Sequence, residues 1–178
     1  MNPIEIIDKF YPQETELRHI LLTHSLSVTQ KALSIIDAHP ELSIDRSFVE
    51  EATLLHDIGI FLTDAPSIQC FGEHPYIAHG YLGADLLRKE GLEKHAFVCE
   101  RHTGAGLSLE QIIQNELPIP HREMLPISLE EQVICFADKF FSKSHLDQEK
   151  TVEKARKSIS KYGEAGLNRF DRWCSLFL

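Results

Sequence analysis

The sequence predicts an all-α fold for this chain of 178 residues. Apolar residues recur at spacings of three and four along several stretches, as on the buried face of a helix. No stretch alternates apolar and polar residues with the period of two that is typical of a half-buried strand. Ser, Asp and Asn residues precede the helical stretches as N-caps, and Gly or Pro residues follow them. We therefore expect one helical domain over residues 1–178, with a helical tail at its C-terminal end.

Composition and charge indicate which kinds of partner the protein can bind and in which cellular compartment it is expected. Apolar residues make up 43% of the chain and charged residues 25%, which is ordinary for a globular protein. The 27 acidic and 18 basic residues give a net charge of −9, so we expect no long nucleic acid as a partner. No apolar run approaches the length of a membrane span, and nothing near Met1 resembles a signal peptide. The four cysteines form no C-x-x-C pair, and together these features predict a cytoplasmic protein that contacts no membrane.

The first two helices place a histidine on a buried face. A short helix begins after the Asn2-Pro3 pair, and a long helix is predicted over about residues 14–38. His24 lies on the apolar stripe of this long helix, three residues after Leu21. Its imidazole is therefore expected to point into the core, either as a ligand or as a core histidine bonded to a carbonyl.

The next helix leads to a histidine and an aspartate side by side. It is capped by Asp45, delivers His56 and Asp57, and is predicted to stop at Gly59. A histidine offers a neutral nitrogen ligand, and the two oxygens of an aspartate can bridge two cations. Most His-Asp pairs have no such role, so the pair alone indicates little. The connection over residues 60–75 has no clear period, and we expect it to form the rim of a site.

Two further histidines lie at predicted helix ends. One helix is predicted from His79 to Gly91, and a second runs from Glu93 to about Arg101, directly before His102. Each of these histidines is followed closely by glycine, which leaves room for a ligand to approach. The alternative is a solvent-exposed histidine near a helix terminus, where the helix dipole acts on it.

The second half of the chain adds a buried aspartate and the tail. Capping boxes at residues 108–111 and 128–131 open two further helices. The second of these helices carries Asp138 four residues after Ile134, so its carboxylate is expected to face inward. A buried aspartate needs a cation or several hydrogen-bond donors. The charged tail over residues 149–178 is predicted to be helical, and the aromatic cluster near its end, Phe170, Trp173 and Phe177, is expected to pack on the body of the protein.

These polar residues occur in the order of a known signature. His24, the pair of His56 and Asp57, and Asp138 resemble the H…HD…D signature of the HD-domain phosphohydrolase superfamily. The HDIG form that is common in this superfamily begins at His56. The resemblance covers about residues 18–143 and implies an HD-domain-like helical bundle.

Two more stretches resemble the branch of this superfamily that holds two metals. His79 begins an H-x-x-x-G-A element, and His102 is similar to the second added histidine, whereas His74 lacks the glycine four positions on and fits less well. The resemblance implies one divalent transition metal ion at one set of residues and a second ion at another. The first set is His24, His56, Asp57 and Asp138, and the second is Asp57, His79 and His102, with Asp57 bridging. Fe, Mn, Zn, Ni and Co all suit these ligands, so the identity of the metal stays open.

The resemblance implies a metal-dependent phosphohydrolase in which a metal-activated water attacks a nucleotide or another small phosphate ester. Ile60 stands where many HDIG members carry Lys or Arg. Arg101 and Lys139 are therefore candidates to contact the phosphate, beside Asp57 as a catalytic residue, and the alternative for both is an ordinary surface charge. Two other functions stay open, which are a di-iron oxygenase with the same ligands and a ligand-binding module that retains the metal. The substrate and the oligomeric state are not determined by the sequence.

Overall fold

The computed structural model describes residues 1–178 and consists mainly of nine α-helices, which confirms the predicted all-α class. The helices are α1 (Pro3–Phe10), α2 (Glu16–Ala38), α3 (Arg46–Leu55), α4 (His79–Lys89), α5 (Glu93–Glu100), α6 (Leu109–Gln114), α7 (Leu129–Asp138), α8 (Val152–Ser160) and α9 (Glu164–Phe177). None of them combines the length and the apolarity needed to span a lipid bilayer.

Two predicted capping boxes form to different extents. Ser108 and Gln111 make both hydrogen bonds of the first box at the start of α6. At the second box, the hydroxyl of Ser128 accepts from the backbone N–H of Glu131, as predicted. The carboxylate of Glu131, however, accepts from the backbone N–H of Ile127 at 3.0 Å rather than from that of Ser128. The second box is incomplete because this carboxylate is also held by an arginine that follows α5.

The predicted helix stop at Gly59 is wrong, and the glycine is needed for another reason. Helix α3 ends at Leu55, and Gly59 has a φ of −86° rather than the positive φ of a C-terminal stop. A Cβ atom at Gly59 would lie 2.5 Å from the backbone nitrogen of Gly83 and 2.5 Å from the carbonyl oxygen of His79. The turn over residues 56–59 therefore packs directly against the backbone of α4.

The connection between α3 and α4 contains a small sheet that the sequence did not predict. Its strands are β1 (Thr63–Ala65), β2 (Cys70–Phe71) and β3 (His74–Pro75), in the order β2-β1-β3. Strand β1 pairs antiparallel with β2 and parallel with β3. Strands of two or three residues are too short to show a period of two, which explains why the sequence pattern missed them.

The apolar core has two large clusters and a smaller third one, and α2 contributes to both large clusters. Ile20 and Leu21 pack in a cluster with residues of α1, α4 and α5. Val28 and Ala32, farther along α2, pack in a second cluster with residues of α7, α8 and α9. His24 lies between these two pairs and is 2% exposed, so a polar side chain sits where the two apolar clusters meet.

The C-terminal tail docks on α7, as predicted. Phe170, Trp173 and Phe177 are buried, and their rings lie 5.3, 6.5 and 5.4 Å from the ring of Phe136 on α7, measured between centroids. The indole N–H of Trp173 donates to the side-chain oxygen of Gln132 at 2.9 Å. The tail therefore closes the second apolar cluster.

Candidate metal centre and adjoining cavity

Four of the predicted ligands come together from α2, α7 and the turn after α3. Ligand atoms of His24, His56, Asp57 and Asp138 all lie within 4.8 Å of one another. The Nε2 atom of His24 lies 2.9 Å from Oδ1 of Asp138 and 3.2 Å from Oδ2 of Asp57. The Nε2 atom of His56 lies 3.1 Å from the same oxygen of Asp57. Two imidazoles and two carboxylates thus converge on one point.

The other two predicted ligands face the second oxygen of Asp57. Oδ1 of this residue lies 3.4 Å from Nε2 of His79 and 3.3 Å from Nε2 of His102. Asp57 is fully buried, and each of its oxygens faces a different pair of histidines. This is the position that a bridging carboxylate requires. We name the six residues together the His/Asp cluster.

Backbone carbonyls determine which ring nitrogen carries the hydrogen in the neutral form of three histidines in this cluster. The Nδ1 atoms of His56, His79 and His102 lie 2.6, 2.6 and 2.7 Å from the carbonyl oxygen three residues earlier in the chain. Because a carbonyl can only accept, each Nδ1 donates, and the Nε2 of the neutral ring carries a lone pair. Histidines that bind metals are oriented by hydrogen bonds of this kind.

Two of these atoms lack partners within the protein. His56 Nε2 and Oδ1 of Asp57 are buried and accept no hydrogen bond, which costs about 1 to 3 kcal/mol for each such group. The Nε2 atoms of His79 and His102 lie 3.0 Å apart, and the two lone pairs repel each other unless a cation or a proton lies between them. The cluster therefore fits one or two divalent transition metal ions with mixed nitrogen and oxygen ligands.

The two halves of the cluster have opposite electrostatic character. Burial lowers the pKa of His79 to about 3 and also lowers the pKa of His102, so both rings stay neutral, as ligands must be. Burial also opposes the charge of His56, but the carboxylates of Asp57 and Asp138 outweigh it and raise its pKa to about 10. The half with two carboxylates therefore attracts positive charge more strongly, and a cation that binds there competes with a proton.

A cavity of about 360 Å³ adjoins the His/Asp cluster, a volume in the range of small-molecule sites. His24 and Asp138 belong to its lining, so the cavity opens onto the cluster. Asp138 is the only acidic residue in this lining, whereas four lysines belong to it. We name them the lysine cluster, and they are Lys139, Lys143, Lys150 and Lys161. In a chain with a net charge of −9, this cavity concentrates positive charge.

Two of these lysines touch the ligands themselves. The Nζ of Lys139 donates to Oδ2 of Asp138 at 2.7 Å and to the carbonyl of His102 at 2.7 Å. The Nζ of Lys143 lies 2.6 Å from Oδ2 of Asp57. Burial opposes the charge of both ammonium groups, but the adjacent carboxylates raise the pKa of each above its usual range, so both stay charged. Lys139 was predicted from the sequence but Lys143 was not, and its only signal there is the spacing of four residues from Lys139.

The structure does not bring Arg101 to the cavity. Its guanidinium donates to Glu131 at 2.9 Å and lies 4.0 Å from the ring centroid of Phe97. It is absent from the cavity lining and instead joins the end of α5 to the start of α7. The phosphate contact expected of this residue is therefore not supported by its position.

The connection between α3 and α4 forms one wall of the cavity. Ala65, Ser67, Ile68 and Tyr76 belong to the lining, which agrees with the rim expected over this segment. The ring of Tyr76 stacks on the imidazole of His79 with centroids 4.6 Å apart. No pattern in the sequence marked this tyrosine.

The chain matches the family model of the HD domain over residues 21–142, which is more than half of its length. This range contains all six residues of the His/Asp cluster. The chain belongs to the HD domain family, whose members are typically metal-dependent hydrolases.

Three relatives show how far this similarity extends. An uncharacterized protein of Methanocaldococcus jannaschii is 33% identical over 145 residues, which cover 79% of this chain and 78% of that protein. The tRNA (cytidine(56)-2'-O)-methyltransferases of Thermoplasma volcanium and Picrophilus torridus are 31% and 29% identical over 139 and 128 residues. Those matches cover 77% and 71% of this chain but only 36% and 33% of the two methyltransferases, so the chain spans about a third of their length. No solved structure is significantly similar to the chain.

Proposed function

We propose that this protein is a metal-dependent phosphohydrolase that acts on a nucleotide or another small phosphate ester. The observation that carries the proposal is the position of Asp57, whose two oxygens face two pairs of histidines beside a cavity lined by lysines. Metal ligands alone suit many reactions, but four lysines beside them favour an anionic substrate. The family supports the same reaction class.

The six residues of the His/Asp cluster would hold the metal ions. His24, His56, Asp57 and Asp138 would hold one ion, and Asp57, His79 and His102 would hold the second. Bound divalent ions supply an activated water at neutral pH and neutralise charge on the transferred phosphoryl group.

The chain's own residues prepare this chemistry in two ways. The carbonyl groups that accept from Nδ1 keep the rings of His56, His79 and His102 in the tautomer that presents Nε2. Lys139 and Lys143 place two ammonium groups between the cluster and the cavity, where they can donate to phosphoryl oxygens and stabilise the charge that develops during transfer.

The size and charge of the site support a small substrate rather than a long nucleic acid. The cavity of about 360 Å³ admits a compound of nucleotide size, and the net charge of −9 disfavours a polyanionic chain along the outer surface.

The test is metal analysis of the purified protein followed by a screen of phosphorylated compounds for phosphate release with Mn²⁺, Ni²⁺ or Co²⁺ under anaerobic conditions. We expect release that depends on the metal and is lost in Asp57→Asn, which keeps the size of the side chain but removes its charge. Oxygen consumption that requires iron would instead identify an oxygenase. Metal and ligand binding without turnover would identify a binding module.

A further inference from the structure

The lysine cluster contains more positive charge than the carboxylates beside it can neutralise. Lys139 pairs with Asp138, and Lys143 pairs with Asp57. Lys150 and Lys161 form no salt bridge with any residue, although both line the same cavity. Metal ions at the His/Asp cluster would add further positive charge. The cavity therefore holds two cationic side chains that are available for a ligand.

The backbone holds Lys150 close to the other lysines. Its N–H donates to the carbonyl of Phe140 at 2.8 Å, which ties together the two ends of the loop that follows α7. Burial lowers the pKa of Lys150, and the charges of Lys139, Lys161 and Lys143 lower it further against the opposing effect of Asp138. Like charges gathered in this way repel one another, and an anion in the cavity would relieve that repulsion.

Hydroxyl groups complete the lining around these two lysines. Ser142, Ser144 and Tyr162 belong to the cavity lining, and the hydroxyl group of each can donate to a phosphate oxygen. Six of the 17 lining residues are hydrophobic, so most of the lining is polar or charged. Ammonium and hydroxyl groups are donors that suit the oxygens of phosphate groups.

Most of this cluster lies outside the region that matches the family. The HD domain match ends at residue 142, so Lys143, Lys150 and Lys161 all follow it in the chain. The two lysines without a carboxylate partner therefore lie outside the residues that match the family model.

We infer that the substrate carries at least two phosphate groups, one at the His/Asp cluster with Lys139 and Lys143, and a second held by Lys150 and Lys161. The substrate class is thus a small polyphosphorylated compound, such as a nucleoside diphosphate or triphosphate, rather than a phosphate monoester. This inference rests on the proposed function and names the substrate class of the same site.

The kinetic test compares a nucleoside triphosphate with the corresponding monophosphate on the metal-loaded protein. We expect kcat/KM to be higher for the triphosphate. The ratio of the two values should fall about tenfold in Lys150→Ala or Lys161→Ala, because each change removes one charge-assisted hydrogen bond to the distal phosphate. Lys157→Ala is the matched control, since Lys157 is exposed on α8 and does not line the cavity, and its ratio should equal that of the wild type. Unfolding temperatures would confirm that all three variants are folded.

A binding test keeps this inference separate from the proposed function. Methylenebisphosphonate, which cannot be hydrolysed at its P–C–P bridge, should bind the metal-loaded protein more tightly than methylphosphonate, and Lys150→Ala should remove most of that difference. If the monophosphate and the triphosphate are used equally, or if the lysine variants weaken both by the same factor, the inference is wrong although hydrolysis stands. If no compound is hydrolysed but the bisphosphonate preference depends on Lys150, the proposed function fails and the second phosphate site stands.

Discussion

The His/Asp cluster and the lysine cluster border the same cavity but are built differently. The six ligands lie on helices or on the turns at helix ends, and backbone carbonyls orient three of their rings. The lysines lie at the end of α7, in the loop that follows it and at the end of α8, and each reaches the cavity through a side chain with four rotatable bonds. The ligand residues are therefore held in place by the backbone, whereas Lys150 and Lys161 have no salt bridge that fixes their ammonium groups. Variants in each region should therefore fail in different ways.

The largest expected effect is that of Asp57→Ala, which should remove bound metal and abolish activity. Asp57 is the only residue that faces both pairs of histidines, so its loss disrupts both halves of the cluster at once. It would also leave Lys143 without its carboxylate partner, which lowers stability. Metal analysis and phosphate release measure the effect, with Asp57→Asn as the variant of nearly equal size. Retained metal together with retained turnover in both variants would contradict the role of Asp57.

The variants His79→Ala and His102→Ala should lose the second metal ion and keep the first. Each variant is expected to bind one metal instead of two, because the ligands on α2 and α7 remain, and activity should fall by about a hundredfold. His74→Ala is the matched control, since His74 is exposed on β3 and outside the ligand groups. If both variants keep their full metal content, the centre holds a single ion, and these two histidines contact the substrate phosphate instead.

The variant Lys143→Ala should show that the lysine cluster affects catalysis without affecting metal binding. We expect full metal content and a loss in kcat/KM of about tenfold to a hundredfold, because the variant removes a charge beside the reacting group but no ligand. Lys143→Arg should recover part of the loss if charge is what matters. Metal analysis beside steady-state kinetics gives the answer, and a variant that loses its metal would place Lys143 among the groups that hold the centre together.

The smallest expected effect on activity is that of Trp173→Ala, because Trp173 does not line the cavity. The side chain is 3% exposed and packs on Phe136, so its removal should lower the free energy of unfolding by about 3 to 5 kcal/mol. Turnover per folded molecule and metal content should stay at the wild-type level. Chemical denaturation with parallel activity measurements tests both statements, and a specific loss of activity at full folding would mean that the tail acts on the site.

Part of the His/Asp cluster was predictable because two of its ligands interrupt an apolar pattern. His24 and Asp138 occupy inward-facing positions of helices, where an unpartnered polar group is costly, and that cost is visible in a sequence. The resemblance to the superfamily added the two histidines at helix ends. Spacing alone could not show that six residues from distant parts of the chain converge, because convergence depends on how the helices pack.

Most of the lysine cluster could not be predicted from the sequence, because its residues do not interrupt an apolar pattern. Lys150 and Lys161 lie in polar stretches, where the common role of a lysine is solvation, and nothing in the local pattern separates one that lines a cavity from one that does not. The need for glycine at position 59 was predicted, but for the wrong reason, since a close approach of two backbones and a helix stop both require glycine. Only the packing of α4 distinguishes the two reasons.

The loop closed by the hydrogen bond between Phe140 and Lys150 has a consequence for how such proteins diversify. Its two ends meet in the backbone, and the aromatic residues of α9 anchor the chain that follows, so neither attachment involves a ligand of the His/Asp cluster. Insertions or exchanges between these anchor points can alter the charge and the depth of the cavity while the reactive residues keep their positions. One His/Asp cluster can in this way stand beside cavities of different charge and depth through changes in a single short stretch of chain.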